Sequence, residues 1–397
     1  MGDPFEAIVG ARHVLRSDAD TLCGARVAAV VRPASGAELA ECLRAASESG
    51  IAVVPVGGGT HLGLGNPLAA PVCVRLELGR IARTCELDAK EGIVELDAGV
   101  TLEALERAAA VAGKTTTLAP LRAGSTVGGA IAVDPVTPES SPDARLRNDL
   151  LGLEVALANG SLTRCGGRVV KNVTGFDLTR LYCGSFGALG VVTRAVLRLR
   201  AAPEQIVVTR AEFASTEAAL EAWGRFASGA RGLAAAVTPS ESGAALWLRF
   251  AASAAEIEAE RAHAPGEVAE PAGWSALRAE LALPPAAPRV RIQLGGRPSD
   301  LALVCRGLTA TAGAGALRLA LPRLGIVFGL VGRESLADLA ELARRSGAVL
   351  ALERGDGAPP PCDAFGGLPS GFEQMRELKK RFDPQRVLSP GRFVGGL

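Results

Sequence analysis

Apolar positions near the start of the chain switch between two periods. Val27-Ala28-Ala29-Val30-Val31 is an unbroken apolar run ending before Pro33, which predicts a short buried strand. Ser35 and Glu38 then have capping-box spacing, and Leu39, Cys42, Leu43 and Ala46 fall on one face of a helix that Gly50 stops. A second run, Ile51 to Val56, predicts a strand that feeds directly into Gly57-Gly58-Gly59-Thr60-His61-Leu62-Gly63. The pattern is a β-α-β unit whose second strand ends at a glycine loop. Val72 to Leu76 reads as a strand, and Thr101-Leu102 opens a helix that Gly113 stops.

Beyond these elements, Leu153, Val155 and Leu157 alternate before Asn159-Gly160, a two-residue hairpin signal. Val191, Thr193, Ala195, Leu197 and Leu199 alternate as well, which places Arg194, Arg198 and Arg200 on a wet face. The glycine motifs stop at Pro203. The alanine-rich middle predicts helices near 215–227, 274–282 and 335–346, with strands at Leu246–Phe250 and Val290–Leu294. Phe372 to Phe382 predicts an amphipathic helix with Met375, Leu378 and Phe382 on one face, followed by a turn-rich tail that docks on the body.

Composition removes several classes of function. With 43 Lys+Arg against 42 Asp+Glu and 4% aromatic residues, there is neither the basic footprint nor the stacking surface of a nucleic-acid binder. No apolar run is long enough to predict a transmembrane segment, and no secretion signal opens the chain, so a cytoplasmic protein is expected. Eight cysteines without C-x-x-C spacing encode no iron–sulfur or zinc site and read as small buried hydrophobes. The three histidines, His13, His61 and His263, exclude a metal site or proton relay built from several imidazoles.

The chemistry is carried by glycine. Runs such as Gly57-Gly58-Gly59-Thr60 and Gly124-Ser125-Thr126-Val127-Gly128-Gly129 let backbone amides approach a ligand, and arrays of amides suit pyrophosphate oxygens. The first loop is not a Rossmann fingerprint, because a strand follows where that motif needs a helix. Gly113-Lys114-Thr115 is not a P-loop, because Ala108 occupies the first glycine position. Ser125 or Thr126 can cap the helix that follows the second loop, and Asp177 can cap Leu178–Tyr182.

These loops, in this order, together with Lys171-Asn172-Val173-Thr174-Gly175-Phe176-Asp177, Gly184-Ser185-Phe186-Gly187-Ala188-Leu189-Gly190-Val191-Val192 and the Asp383-Pro384 to Pro390-Gly391-Arg392 tail, resemble the FAD-binding fold of the vanillyl-alcohol oxidase and p-cresol methylhydroxylase (PCMH) superfamily. Within it, the chain is most similar to the smaller FAD-binding subunits of bacterial glycolate oxidases. The resemblance implies an α+β protein: a PCMH-type FAD-binding domain of two α/β subdomains over residues 1–203, an inserted α+β cap over 204–350, and a segment 351–397 that returns to the FAD domain.

The resemblance further implies FAD contacts from Gly57, Gly58, Gly59, Thr60, Gly124, Ser125, Thr126, Gly128 and Gly129, and adenine-end contacts from Gly190, Val191 and Val192. Lys171 would lie near the flavin, and Arg392 would either contact the flavin or dock the tail. The expected partners are a larger flavin subunit and an iron–sulfur subunit, through which the chain associates with the inner membrane; the expected substrate is a small 2-hydroxy acid, oxidised as glycolate is to glyoxylate. Two departures stand out. The histidine- and glycine-rich motif of autonomous relatives is missing, so no catalytic residue is assigned, and Ser389 stands where relatives often have asparagine. Relatives that hold FAD covalently use a histidine in the first loop; here Thr60 follows the glycines and His61 comes later, which points to noncovalent FAD. The rival readings are a stand-alone FAD-dependent 2-hydroxy-acid dehydrogenase and a noncatalytic FAD-binding scaffold.

Overall fold

The computed structural model describes residues 4–16, 20–83, 85–118, 121–168, 176–227, 233–355 and 359–397. The opening β-α-β unit forms as its pattern predicts. The strands Ala25–Val31 and Val53–Val56 both pair in parallel with Val72–Glu77, which lies between them. The connecting helix, Gly36–Ser49, is capped by the Ser35 hydroxyl, and left-handed Gly50 ends it. Its Leu39, Cys42 and Leu43 are fully buried, and they share one core with Ala156, Ala158 and Val191 from a second sheet. The helix is therefore wedged between two sheets.

That second sheet is antiparallel, in the order Leu162–Gly166, Leu150–Ala156, Val191–Arg198, Ile93–Asp97, Cys85–Asp88. The hairpin at Asn159-Gly160 has a three-residue loop rather than two: Leu157 N–H donates to the Ser161 carbonyl, with Gly160 at φ +82°. This longer loop lets one glycine supply the only left-handed residue needed. The expected wet face is also different. Arg198 and Arg200 both converge on Asp149, which is 1% exposed, and Arg194 pairs with Glu95 and Asp97. Bulges in the Val191–Arg198 strand break strict alternation, so Val192 and Val196 are buried as well.

From Gln205 onward the chain builds an eight-stranded antiparallel sheet whose last strand is Val349–Arg354. The expected middle helices appear as Thr216–Ala227, Pro271–Ala282 and Leu336–Ser346. One face of the sheet packs on the first and third of these and on Leu301–Ala312; the other face packs on Trp274, Leu277 and Leu281. The whole is an α+β protein. All eight cysteines are free, and Cys85 is exposed rather than buried because its strand lies at the edge of the second sheet. Among the described residues no helix is long and apolar enough to cross a membrane, and no group of metal-ligating side chains gathers.

The tail docks as its turn chemistry suggested, by a device that hydrophobic patterning does not show. Leu378 and Phe382 pack on the second sheet's core, but Lys379 on the same helix is also buried, at 3% exposure. Its ammonium donates to Asp383 at 2.7 Å and to the carbonyls of Ala188 and Leu388 at 2.9 and 2.8 Å. Asp383 in turn accepts from the amides of Val387 and Leu388. This fixes the tail so that Ser389 N–H reaches the Val53 carbonyl, beside the strand that leads into the first glycine loop. Removing one member of a buried pair leaves the other charge uncompensated, so Lys379→Met should cost roughly 3–5 kcal/mol. A urea melt checks this; a loss below about 1 kcal/mol would show that the pair does not hold the tail.

Candidate functional site

The two glycine loops meet at backbone distance. A Cβ on Gly58 would lie 1.8 Å from the Gly124 carbonyl oxygen, and one on Gly57 would lie 2.0 Å from the Thr126 hydroxyl. These glycines are therefore required by loop packing as well as by any ligand. Between the loops lies a cleft with about 590 Å³ of empty space, including the part open to solvent, whose lining includes Gly57, Gly58, Gly59, Thr60, His61, Thr126, Gly129, Ser389 and Arg392. No carboxylate lines it among the described residues.

The loops differ in what their amides do. Among the described residues, none of the amides from Gly57 to His61 donates a hydrogen bond within the protein. The carbonyl of Thr60 and those farther along the loop are gripped by arginines. Arg122 donates to the Thr60 carbonyl, and Arg392 donates to those of Leu62, Leu64 and Asn66 at 3.0, 2.6 and 2.7 Å. The arginines fix the end of the loop, and the run of N–H groups from Gly57 to His61 is left available to an anion. In the second loop the amides are already engaged: Gly124 on Glu103, Ser125 on Arg122, Gly128 on Ala98, and Gly129 on the Thr126 hydroxyl. Thr126 is the N-cap of the Val127–Val133 helix, so this loop forms a wall and the first loop carries the donors.

The other expected residues fall in different places. The Ser125 hydroxyl is 3.0 Å from that of Thr60 and reaches the cleft only through it. Gly124 and Gly128 lie behind the wall, and Gly128 packs on Ala98. Gly190, Val191 and Val192 do not line this cleft. Val191 and Val192 pair with Ala156 and Val155, while the strand on their other side joins only from Arg194 onward. Lys171, with Asn172 to Gly175, lies outside the described residues. Asp177 caps Leu178–Tyr182 as its position predicts. Arg392, left open between flavin contact and tail docking, is 5% exposed and docks the tail onto the first loop while also lining the cleft.

His61 stands where the cleft joins a second, larger pocket facing the eight-stranded sheet; Val133 and Phe186 also line both. Burial, with Arg122 nearby, pushes its pKa down to about 4, so the ring is neutral at neutral pH. Nδ1 lies 3.0 Å from the Thr60 hydroxyl, and Nε2 is buried without a hydrogen-bond partner. Phe186 sits at φ +56°, a conformation costing about 1–3 kcal/mol for such a residue. It is held there by stacking on Phe393 and by an edge contact with Phe365, both at 5.3 Å between ring centroids.

Sequence reasoning missed the second pocket's charges. Glu353, 5% exposed, bridges Arg122 at the second loop to Arg291 on the eight-stranded sheet. Asp134 receives both Arg145 and Arg147, at 2.7 and 2.9 Å. These residues belong to no motif and lie far apart in the chain; the short spacing of Asp134, Arg145 and Arg147 was the one local signal.

Comparison with known proteins agrees with this geometry. A family model described as FAD binding domain matches residues 27–166. The chain is 34% identical to a D-lactate dehydrogenase of Archaeoglobus fulgidus, over 48% of this chain and 43% of that one. It is 32% identical to glycolate oxidase subunit GlcD of Bacillus subtilis, over 49% and 41%. With glycolate oxidase subunit GlcE of Escherichia coli, identity is 28% over 78% of this chain and 84% of the other. The chain spans less than half the length of the first curated relatives it matches. A solved alkyldihydroxyacetonephosphate synthase superposes with a TM-score of 0.67 at 14% identity, covering 92% of this chain and 77% of that one, which shows the shared fold. Beside the five open amides and the cleft without carboxylates stands the matched domain: residues 27–166 are similar to an FAD binding domain, and the cofactor is FAD.

Proposed function

We propose that this chain is an FAD-dependent oxidoreductase acting on the CH–OH group of a 2-hydroxy acid, and that it works as the FAD-binding subunit of a glycolate oxidase-type complex. The observation that carries the reading is the run of unengaged amides from Gly57 to His61, beside a pocket with two arginine pairs. The match to GlcE over most of both chains supports the subunit role. In this reading the FAD unit comprises 1–203 with 351–397, and 204–350 forms the cap. FAD is held noncovalently: the Gly57–Thr60 amides hold its pyrophosphate, Thr126 and Gly129 shape the wall, and Gly190, Val191 and Val192 contact the adenine end through backbone.

When bound, FAD supplies a two-electron acceptor. The chain's own part is to place the substrate, whose oxidation to the 2-oxo acid releases two electrons and two protons. Arg145 and Arg147 hold the carboxylate, and the neutral Nε2 of His61 accepts a hydrogen bond from the substrate hydroxyl. Because this chain has no cluster motif, electrons leave through a larger flavin subunit and an iron–sulfur subunit. Because the histidine- and glycine-rich motif of autonomous relatives is missing from this chain, dye reduction with a 2-hydroxy acid should be negligible for the chain alone and robust when both partners are coexpressed. Rapid turnover by the isolated chain would instead establish a stand-alone dehydrogenase.

Cofactor placement has a direct test. Gly58→Asp would drive its side chain into the Gly124 backbone and confuse folding with binding. Gly129→Asp meets only the Thr126 hydroxyl, at 3.2 Å, and an acid in a helix's first turn is favourable. It places negative charge in the cleft, so FAD retention should fall at least tenfold while the apoprotein melts normally; Lys114→Ala should retain FAD. Retention in Gly129→Asp with loss in Lys114→Ala would reverse the assignment.

His61 predicts a pH dependence. Its folded pKa lies below the unfolded value of about 6.5, so between pH 6.5 and 4 the unfolded chain takes up a proton that the native one refuses. Stability must therefore fall as pH falls through this window. His61→Gln should show a shallower decline of the urea midpoint there than the parent protein; parallel curves would mean that His61 is not buried as a neutral ring.

A further inference from the structure

The pocket on the cap side of His61 offers much more apolar surface than a two-carbon acid can cover. Its void is about 1090 Å³, including the part open to solvent. Leu121, Val136, Leu281, Ile326, Phe328 and Val349 form an apolar wall, four of them packed in one core with the helix Pro271–Ala282. Charge is confined to two places. At Glu353, the terminal nitrogens of Arg122 and Arg291 are engaged with its carboxylate and with carbonyls of Thr60, Leu281, Glu280 and Leu283, so this group ties elements together. At Asp134, two guanidiniums share one carboxylate, Arg147 is half-exposed, and the Nε of Arg145 is buried without a hydrogen-bond partner. A net positive charge is left there for an anion.

An anionic site in a largely apolar pocket fits an amphiphile. Glycolate has a head for Arg145 and Arg147 but nothing to cover the wall, whereas each methylene laid on that wall removes apolar surface from water. Resting on the oxidoreductase reading above, we propose that the pocket selects 2-hydroxy acids with an apolar chain of several carbons, the carboxylate at Arg145 and Arg147 and the chain along the cap-side wall.

The test is an anaerobic titration of the FAD-loaded full chain with glycolate, lactate, 2-hydroxybutanoate, 2-hydroxyhexanoate and 2-hydroxyoctanoate, read by flavin absorbance and by calorimetry. Affinity should rise roughly three- to fourfold per methylene along the series until the wall is covered. Val349 is 65% exposed, so Val349→Asp should fold, keep its FAD and lose most of the chain-length gain. Arg147→Gln should weaken all members by a similar factor. Binding of every acid with no gain along the series, or a gain unchanged in Val349→Asp, overturns this inference and leaves the oxidoreductase reading intact. If no member binds or perturbs the flavin while FAD stays bound, the 2-hydroxy-acid reading itself fails.

Discussion

The orientation of the peptide groups between Gly57 and Leu64 governs the rest of the site. Peptide N–H and C=O groups point opposite ways, so gripping the carbonyls of Thr60, Leu62 and Leu64 fixes the peptides whose amides belong to His61, Gly63 and Gly65, at the end of the open run. Arg122 and Arg392 do this from two directions. Their own burial is tolerated because acceptors surround the guanidiniums; Arg392 is 5% exposed, and burial lowers its pKa. The glycines are then needed for a second reason, since the loop so held lies against Gly124 and Thr126 with no room for a Cβ.

Each gripping arginine belongs to another part of the chain, which couples the first glycine loop to distant elements. Arg392 comes from the tail, and the tail is fixed by the buried Lys379–Asp383 pair. Arg122 also meets Glu353, from the last strand of the eight-stranded sheet, so that sheet and the first glycine loop share one ion cluster. The neighbouring Arg354 adds a contact to the Gly65 carbonyl at 2.8 Å. The eight-stranded sheet and the tail thus both bear on the same nine-residue turn of backbone, Gly57 to Gly65. His61 lies within it, where the cleft opens toward the second pocket.

Local chemistry was legible in the sequence wherever the interactions are local. The Ser35 cap, the Gly50 and Gly113 stops, the Asp177 cap and the helix at Phe372–Phe382 depend on residues a few positions apart, and they form as patterned. The FAD fold was legible through the order of its loops. Side-chain roles that depend on long-range pairing were not. Lys379 looks like a solvated residue on a polar face until Ala188, Asp383 and Leu388 converge on it. Arg198 and Arg200 alternate outward, yet buried Asp149 draws them in. The second loop read as a donor array, but its amides are satisfied by Glu103, Arg122, Val100 and Ala98, which no local pattern reveals.

The central claim is that the amides of Gly57 to His61 hold one FAD per chain without a covalent bond. The most direct measurement is acid precipitation of the purified protein, with the supernatant analysed for flavin and the pellet for residual colour. The account predicts yellow protein that releases one equivalent of intact FAD and leaves a colourless pellet. Colourless protein that cannot be reconstituted with FAD, or flavin retained in the pellet on a peptide containing His61, would contradict it.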